Sequence, residues 1–197
     1  MVRMSSNEVH AELGAERETL LALARQSIEH GVHHGVAPTI DLSRYATLLQ
    51  QPGACFVTLL LNDELRGCIG SLVAHRPLAK DVIDNAFAAA FQDPRFSPLT
   101  PREFSRIHIH LSILTPAQPL TFGSEEDLLR QIRPGVDGLI LEDKEHRGTF
   151  LPSVWEQLPT TTEFWRHLKR KAGLPEHYWS STLRVQRYET LMLREEE

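Results

Sequence analysis

Residues 53–70 constrain the fold most. Gly53 is followed by the apolar run Ala54-Cys55-Phe56-Val57-Thr58-Leu59-Leu60-Leu61, then by Asn62-Asp63-Glu64, then by Leu65-Arg66-Gly67-Cys68-Ile69-Gly70. A buried run, a turn rich in Asn and Asp, and a second run predict a β-hairpin. In an extended second strand, alternation would put Arg66 and Cys68 on one face and Leu65 and Ile69 on the other. A guanidinium beside a thiol favours the thiolate, the form that acts as nucleophile. Gly67 and Gly70 weaken the strand and mark a bulge, a bend or a close approach of something to the backbone. The local chemistry by itself favours a plainer reading, in which Cys68 is a small buried hydrophobe.

The remaining periodicities place helices and strands around this hairpin. Leu13, Leu20, Leu23, Ala24 and Ile28 are helically spaced, with Gly31 predicted as the left-handed cap. The following stretch, 30–38, holds His30, His33 and His34; without carboxylate or cysteine partners at ligand spacing it reads as a solvated loop. Leu78, Val82, Ile83, Ala86, Phe87, Ala90 and Phe91 predict a helix with Pro77 at its start and Asp93-Pro94 at its end. Residues 107–114 alternate as a strand with Ile107, Ile109, Leu111 and Ile113 inward; His108 and His110 are expected towards solvent. A short helix from Ser124, a second hairpin over 138–151, a helix opened by Thr160 and Glu163, and a last strand over 183–193 complete the order. Hairpins separated by helices predict an α+β fold with a mainly antiparallel sheet and flanking helices. One domain is expected over 12–194, with 1–11 and 195–197 as flexible tails.

Composition excludes several functions. A net charge of −5 over 197 residues argues against a nonspecific phosphate-backbone binder, so no nucleic acid is expected. Neither G-x-G-x-x-G nor G-x-x-x-x-G-K-[ST] occurs, and G-x-S-x-G, H-E-x-x-H and C-x-x-C are also missing, so no cofactor is predicted. Cys55 and Cys68 are the only cysteines, too few for a disulfide framework or a four-cysteine zinc site, which fits a reducing compartment. No segment approaches the roughly 20 apolar residues of a membrane span, and a cytoplasmic location is expected.

The hexapeptide 65–70 and its flanks resemble the AMMECR domain family, known in microbes as AmmeMemoRadiSam system protein A. The resemblance extends through Pro52-Gly53-Ala54, Ala88-Ala89-Ala90-Phe91-Gln92-Asp93-Pro94-Arg95-Phe96, Ser112-Ile113-Leu114-Thr115-Pro116, Leu151-Pro152-Ser153-Val154-Trp155 and Lys171-Ala172-Gly173-Leu174-Pro175. In order and spacing these cover about Leu13 to Leu193. The resemblance implies two lobes, the larger built from the N- and C-terminal parts, with the hexapeptide near a cleft between them. It implies association with a Memo-type protein and a radical SAM protein, and it supplies no reaction. The chain departs from the family pattern at His110, where an acidic residue is common, and at Asp137, where a histidine is common. If the two sites meet, Cys68 and His110 could pair with Asp137 orienting the ring.

Two functions follow. In the first, the chain is an enzyme acting on a small anionic substrate, with Cys68 as nucleophile, Arg66 as anion clamp and His110 as base, and with Gly67, Gly70, Arg95 and Asp137 lining the substrate site. Arg95 has a structural alternative in pairing with Asp93. In the second, the chain is a non-catalytic adaptor in which the glycines admit a ligand or partner and Cys68 is merely small. A metal site of Cys68, His108 and His110 ranks last, and no metal is predicted. Trp155, Trp165 and Trp179 read as core or rim aromatics.

Overall fold

The computed structural model describes residues 6–195. The chain divides into two compact units, one holding the residues up to Thr115 together with those from Leu191 on, the other Pro116–Thr190. The fold is α+β with antiparallel sheets, as the hairpin-and-helix order predicts.

The first unit contains helices α1 (Ser6–Ala15), α2 (Arg17–His34), α3 (Thr47–Gln50), α4 (Leu78–Phe91) and α5 (Pro101–Phe104). Its strands are β1 (Pro52–Leu61), β2 (Glu64–Gly70), β3 (Arg76–Pro77) and β4 (Ile107–Leu114). Further along the chain come β5 (Gln118–Pro119), α6 (Glu125–Gln131), β6 (Gly138–Asp143), β7 (His146–Phe150), α7 (Thr161–Lys171), β8 (Arg184–Tyr188) and β9 (Thr190–Arg194). The first sheet runs β2-β1-β4-β9, with β3 beside β1. Asn62 and Asp63, both in the left-handed region at φ 52° and 63°, make the tight turn between β1 and β2. Alternation then buries Cys55, Val57 and Leu59 of β1 with Ile107, Ile109, Leu111 and Ile113 of β4 against α2 and α4. Phe56, Thr58, Leu60, His108, His110 and Ser112 lie half-buried on the other face, so the histidines do not point freely into solvent.

Asp81, fully buried in α4, joins the helix to the hairpin. It accepts hydrogen bonds from Cys55 N (2.9 Å), Asn85 Nδ2 (2.9 Å), Ser71 Oγ (2.9 Å) and Arg76 Nε (2.7 Å). A buried carboxylate is tolerated there because donors surround it.

Several boundaries differ from the sequence reading. Helix α2 does not stop at Gly31. It continues to His34 and is capped by Gly35 at φ 72°. Gly31 is a packing position, where a Cβ would stand 2.3 Å from the Phe91 ring of α4. His30, His33 and His34 therefore occupy the last turns of a helix and not a loop. Residues 6–11, assigned to a tail, belong to α1, whose Val9 is buried; 1–5 and 196–197 lie outside the described residues. Glu195 accepts from Arg25 and from Ile109 N (2.9 Å), which fixes the chain there. The single last strand expected over 183–193 is two strands, β8 and β9, in different sheets.

The second unit has its own sheet, β5-β8-β6-β7, and its own core, in which Trp155 stacks on Phe164 of α7 with ring centres 3.8 Å apart. Thr160 caps α7 as expected, accepting from Glu163 N (3.3 Å). Trp155 and Trp165 are core; Trp179 is 38% exposed. Among the described residues no helix is long and apolar enough to cross a membrane.

Candidate functional site

Strand β2 is an edge strand, and its geometry explains the hexapeptide residue by residue. The pairing runs Cys68 with Thr58 and Gly67 with Leu59, then jumps to Leu65 with Leu60, leaving Arg66 as the unpaired residue of a β-bulge. Gly67 faces α4, where a Cβ would stand 2.2 Å from the carbonyl oxygen of Ala89. Only glycine admits that approach. Gly70 lies under the Phe56 ring, 2.3 Å from where its Cβ would be. Both glycines are filled by the protein's own atoms.

The bulge redirects Arg66. Its Nε donates to Glu103 Oε1 (2.8 Å) and its Nη2 donates to Glu103 Oε2 (3.2 Å) and to Ser97 O (2.9 Å). Glu103 also accepts from Thr100 N (2.8 Å) and Thr100 Oγ1 (2.8 Å), completing the capping box that opens α5 with Pro101 in its first turn. The guanidinium holds the Glu103 carboxyl down to about 2. Arg66 Nη1 is buried without a hydrogen-bond partner, the one such side-chain atom among the described residues. Its guanidinium carbon lies 5.7 Å from the Phe96 ring centre. Arg66 is thus a buried staple between β2 and α5, and its charge is already taken by Glu103.

The free edge of β2 is closed by the segment after α4. Cys68 N donates to Asp93 Oδ2 (2.9 Å), and Arg95 Nη2 reaches Cys68 O (3.4 Å). Arg95 in turn donates to both oxygens of Asp93, from Nε (3.0 Å) and Nη2 (2.7 Å). Of the two roles the sequence leaves open for Arg95, its pairing with Asp93 is present. These donors hold the Asp93 carboxyl well below the usual range, led by the Arg95 bond. Covering an edge with a charged pair also blocks strand addition.

Cys68 itself is half-buried, and Thr58 Oγ1 donates to its Sγ at 3.3 Å. Thr58 pairs with Cys68 on one side and with His110 on the other. The three side chains form one row across β2, β1 and β4, so Cys68 and His110 are separated by a whole strand, about 10 Å at two strand spacings. Proton transfer needs about 3 Å, so the direct Cys68–His110 pairing is not made. Burial, with Arg194 and His108 nearby, pushes the His110 imidazole down, towards the neutral form. Cys55 is fully buried in the Asp81–Asn85 cluster, and burial pushes its thiol up. Asp137 lies in the second unit, fully buried; its carboxylate accepts from Arg133 N (2.9 Å), Nε (3.0 Å) and Nη2 (2.5 Å), and its carbonyl oxygen accepts from Trp155 Nε1 (2.8 Å), so it is a loop staple. Among the described residues no group of three or more His, Cys, Asp or Glu side chains is placed to hold a metal ion.

Sequence reasoning missed Glu103, Asp93 as an edge cap, and Thr58. The first carries a local signal, Thr100-Pro101 followed by Glu103, which reads as a capping box. The other two are set by tertiary contacts.

The hexapeptide thus lies on the closed edge strand of an α+β fold. The sequence pattern of the AMMECR1 family matches residues 21–193, and the chain belongs to that family. A protein of Methanothermobacter thermautotrophicus is 36% identical over 188 residues, covering 92% of this chain and 95% of its own. One of Thermotoga maritima is 39% identical over 163 residues, covering 82% and 88%. The crystal structure of the uncharacterised protein PH0010 from Pyrococcus horikoshii is similar at a TM-score of 0.72 with 32% identity, covering 91% of each chain.

Proposed function

We propose that this AMMECR1-family chain is a non-catalytic recognition module whose contact surface is formed by Leu65, Cys68, Leu72 and Val73 with Arg95. The observation that carries the reading is the commitment of Arg66 to Glu103; Arg95, the other cation near Cys68, is likewise paired, with Asp93, and Thr58 donates its hydroxyl to the thiol. The general base of the enzyme reading is a strand away. Leu65, Leu72 and Val73, within or just after residues 65–70, are 44%, 39% and 48% exposed and offer apolar area to a protein partner. Arg95, its side chain 53% exposed, adds a polar contact. The partners are a Memo-type and a radical SAM protein, on the strength of the family resemblance.

Calorimetric titration of the chain with each partner from the same organism tests this. Saturable binding is expected with at least one. Cys68→Ser should bind within about threefold of wild type, and Leu65→Asp about tenfold or more weakly, a loss of about 1.4 kcal/mol. Failure of both partners to bind, or loss of the complex in a Cys68→Ser protein of unchanged melting temperature, would contradict the proposal.

A further inference from the structure

We propose that His30 and His34, at the C-terminal end of α2, form a binding site for a divalent cation of the Zn2+, Ni2+ or Cu2+ class. The two residues are four apart in a helix and so share a face one turn apart. Their ring centres are 4.3 Å apart, close enough for one ion to bridge the two imidazoles. The prolongation of α2 past Gly31 creates this geometry, which a loop would not have given.

Three further observations point to a ligand. His30 Nδ1 lies 3.0 Å from Val36 O. A carbonyl oxygen can only accept, so Nδ1 carries a proton, and in the neutral ring the lone pair is on Nε2. Metal-bound histidines are commonly fixed in this way, with the other ring nitrogen donating to a carbonyl. Gly35, left-handed at φ 72° with its N–H bonded to Gly31 O, turns the chain so that Val36 comes back over His30. The site also sits at the negative end of an 18-residue helix, where cations are favoured. Imidazole donors select Zn2+, Ni2+ and Cu2+ over Mg2+ and Ca2+, which require oxygen. With two protein ligands, the remaining positions would be taken by water. His33, whose ring centre is 6.3 Å from that of His34 in an edge-on arrangement, is not part of the pair.

The test uses the full chain without an affinity tag and the metal ions alone. Long-range 1H–15N spectra of the imidazoles should show His30 as the Nδ1–H tautomer before metal is added. Zn2+ or Ni2+ should then perturb His30 and His34 together, ahead of the other histidines of the ten in the chain. His30→Gln and His34→Gln should each lose this response at the concentration that saturates wild type, and His33→Gln should keep it. Glutamine suits a helix, so these variants should fold. An Nε2–H tautomer at His30, a uniform response of all histidines, or wild-type binding by His34→Gln would overturn the site.

Discussion

Replacing Glu103 with alanine is expected to destabilise the protein by about 3 kcal/mol, the lower end of what removing one partner of a buried ion pair costs. The lower end applies because the Glu103 side chain is 24% exposed while that of Arg66 is 10% exposed. The loss has two sources. Arg66 would keep its charge in a site that leaves only Ser97 O and the Phe96 ring as partners, and α5 would lose the carboxylate that accepts from Thr100 N. Arg66→Met in the Glu103→Ala background should recover part of the stability, because it removes the stranded cation. All three tryptophans lie in the second unit, so circular dichroism or amide exchange in β1 and β2 is the appropriate readout, not tryptophan fluorescence. The same pair sets part of the acid response. The Glu103 carboxyl is held to about 2 in the folded protein and titrates near 4.3 in an unfolded chain. A depressed folded value contributes stability that is full above the unfolded one and is lost as the pH falls from about 4 to about 2. Glu103→Gln should flatten that limb of the melting profile.

Gly67→Ala should cost about 3 kcal/mol or more, at the upper end of overpacking effects. The added methyl would lie 2.2 Å from Ala89 O and 3.1 Å from Ala89 C, backbone atoms of α4 that cannot rotate away. The strand or the helix has to move, and Asp81, which ties α4 to Cys55 and Ser71, opposes that movement. Gly14→Ala is the matching control. It lies in α1 with nothing within 4 Å of its would-be Cβ, and alanine is the better helix former. A loss in the melting midpoint of Gly67→Ala with none in Gly14→Ala is the expected result.

These two residues also mark where the sequence was and was not legible. The hairpin over 53–70, the α4 helix and the alternation of β4 could be read because their signals are local: an Asn-Asp turn, helical spacing, and period two. Gly67 could be read as a position of close approach, but not that the approaching atom belongs to Ala89. The side-by-side projection expected for Arg66 and Cys68 assumed a regular strand, and the bulge at Arg66 removes that regularity. Which carboxylate then receives Arg66 depends on where α5 docks, 37 residues away. The end of α2 was misread for a similar reason. Gly31 reads as a cap in sequence, but it packs against Phe87 and Phe91 and the helix runs on to a cap at Gly35. Glu189, between β8 and β9, has nothing in its local pattern to divide the last strand between two sheets.

On the proposed reading Cys68 lies on a recognition surface and is not an activated nucleophile, and alkylation tests this most directly. The rate of iodoacetamide modification at Cys68, followed by peptide mass spectrometry, should be compared with that of a synthetic peptide spanning 64–72. With Cys68 half-buried beside Thr58 and the Arg66 and Arg95 cations held by Glu103 and Asp93, the folded protein should react more slowly than the peptide across the pH range from about 6 to about 9. Faster reaction than the peptide near pH 6 would show an activated thiolate and contradict the account.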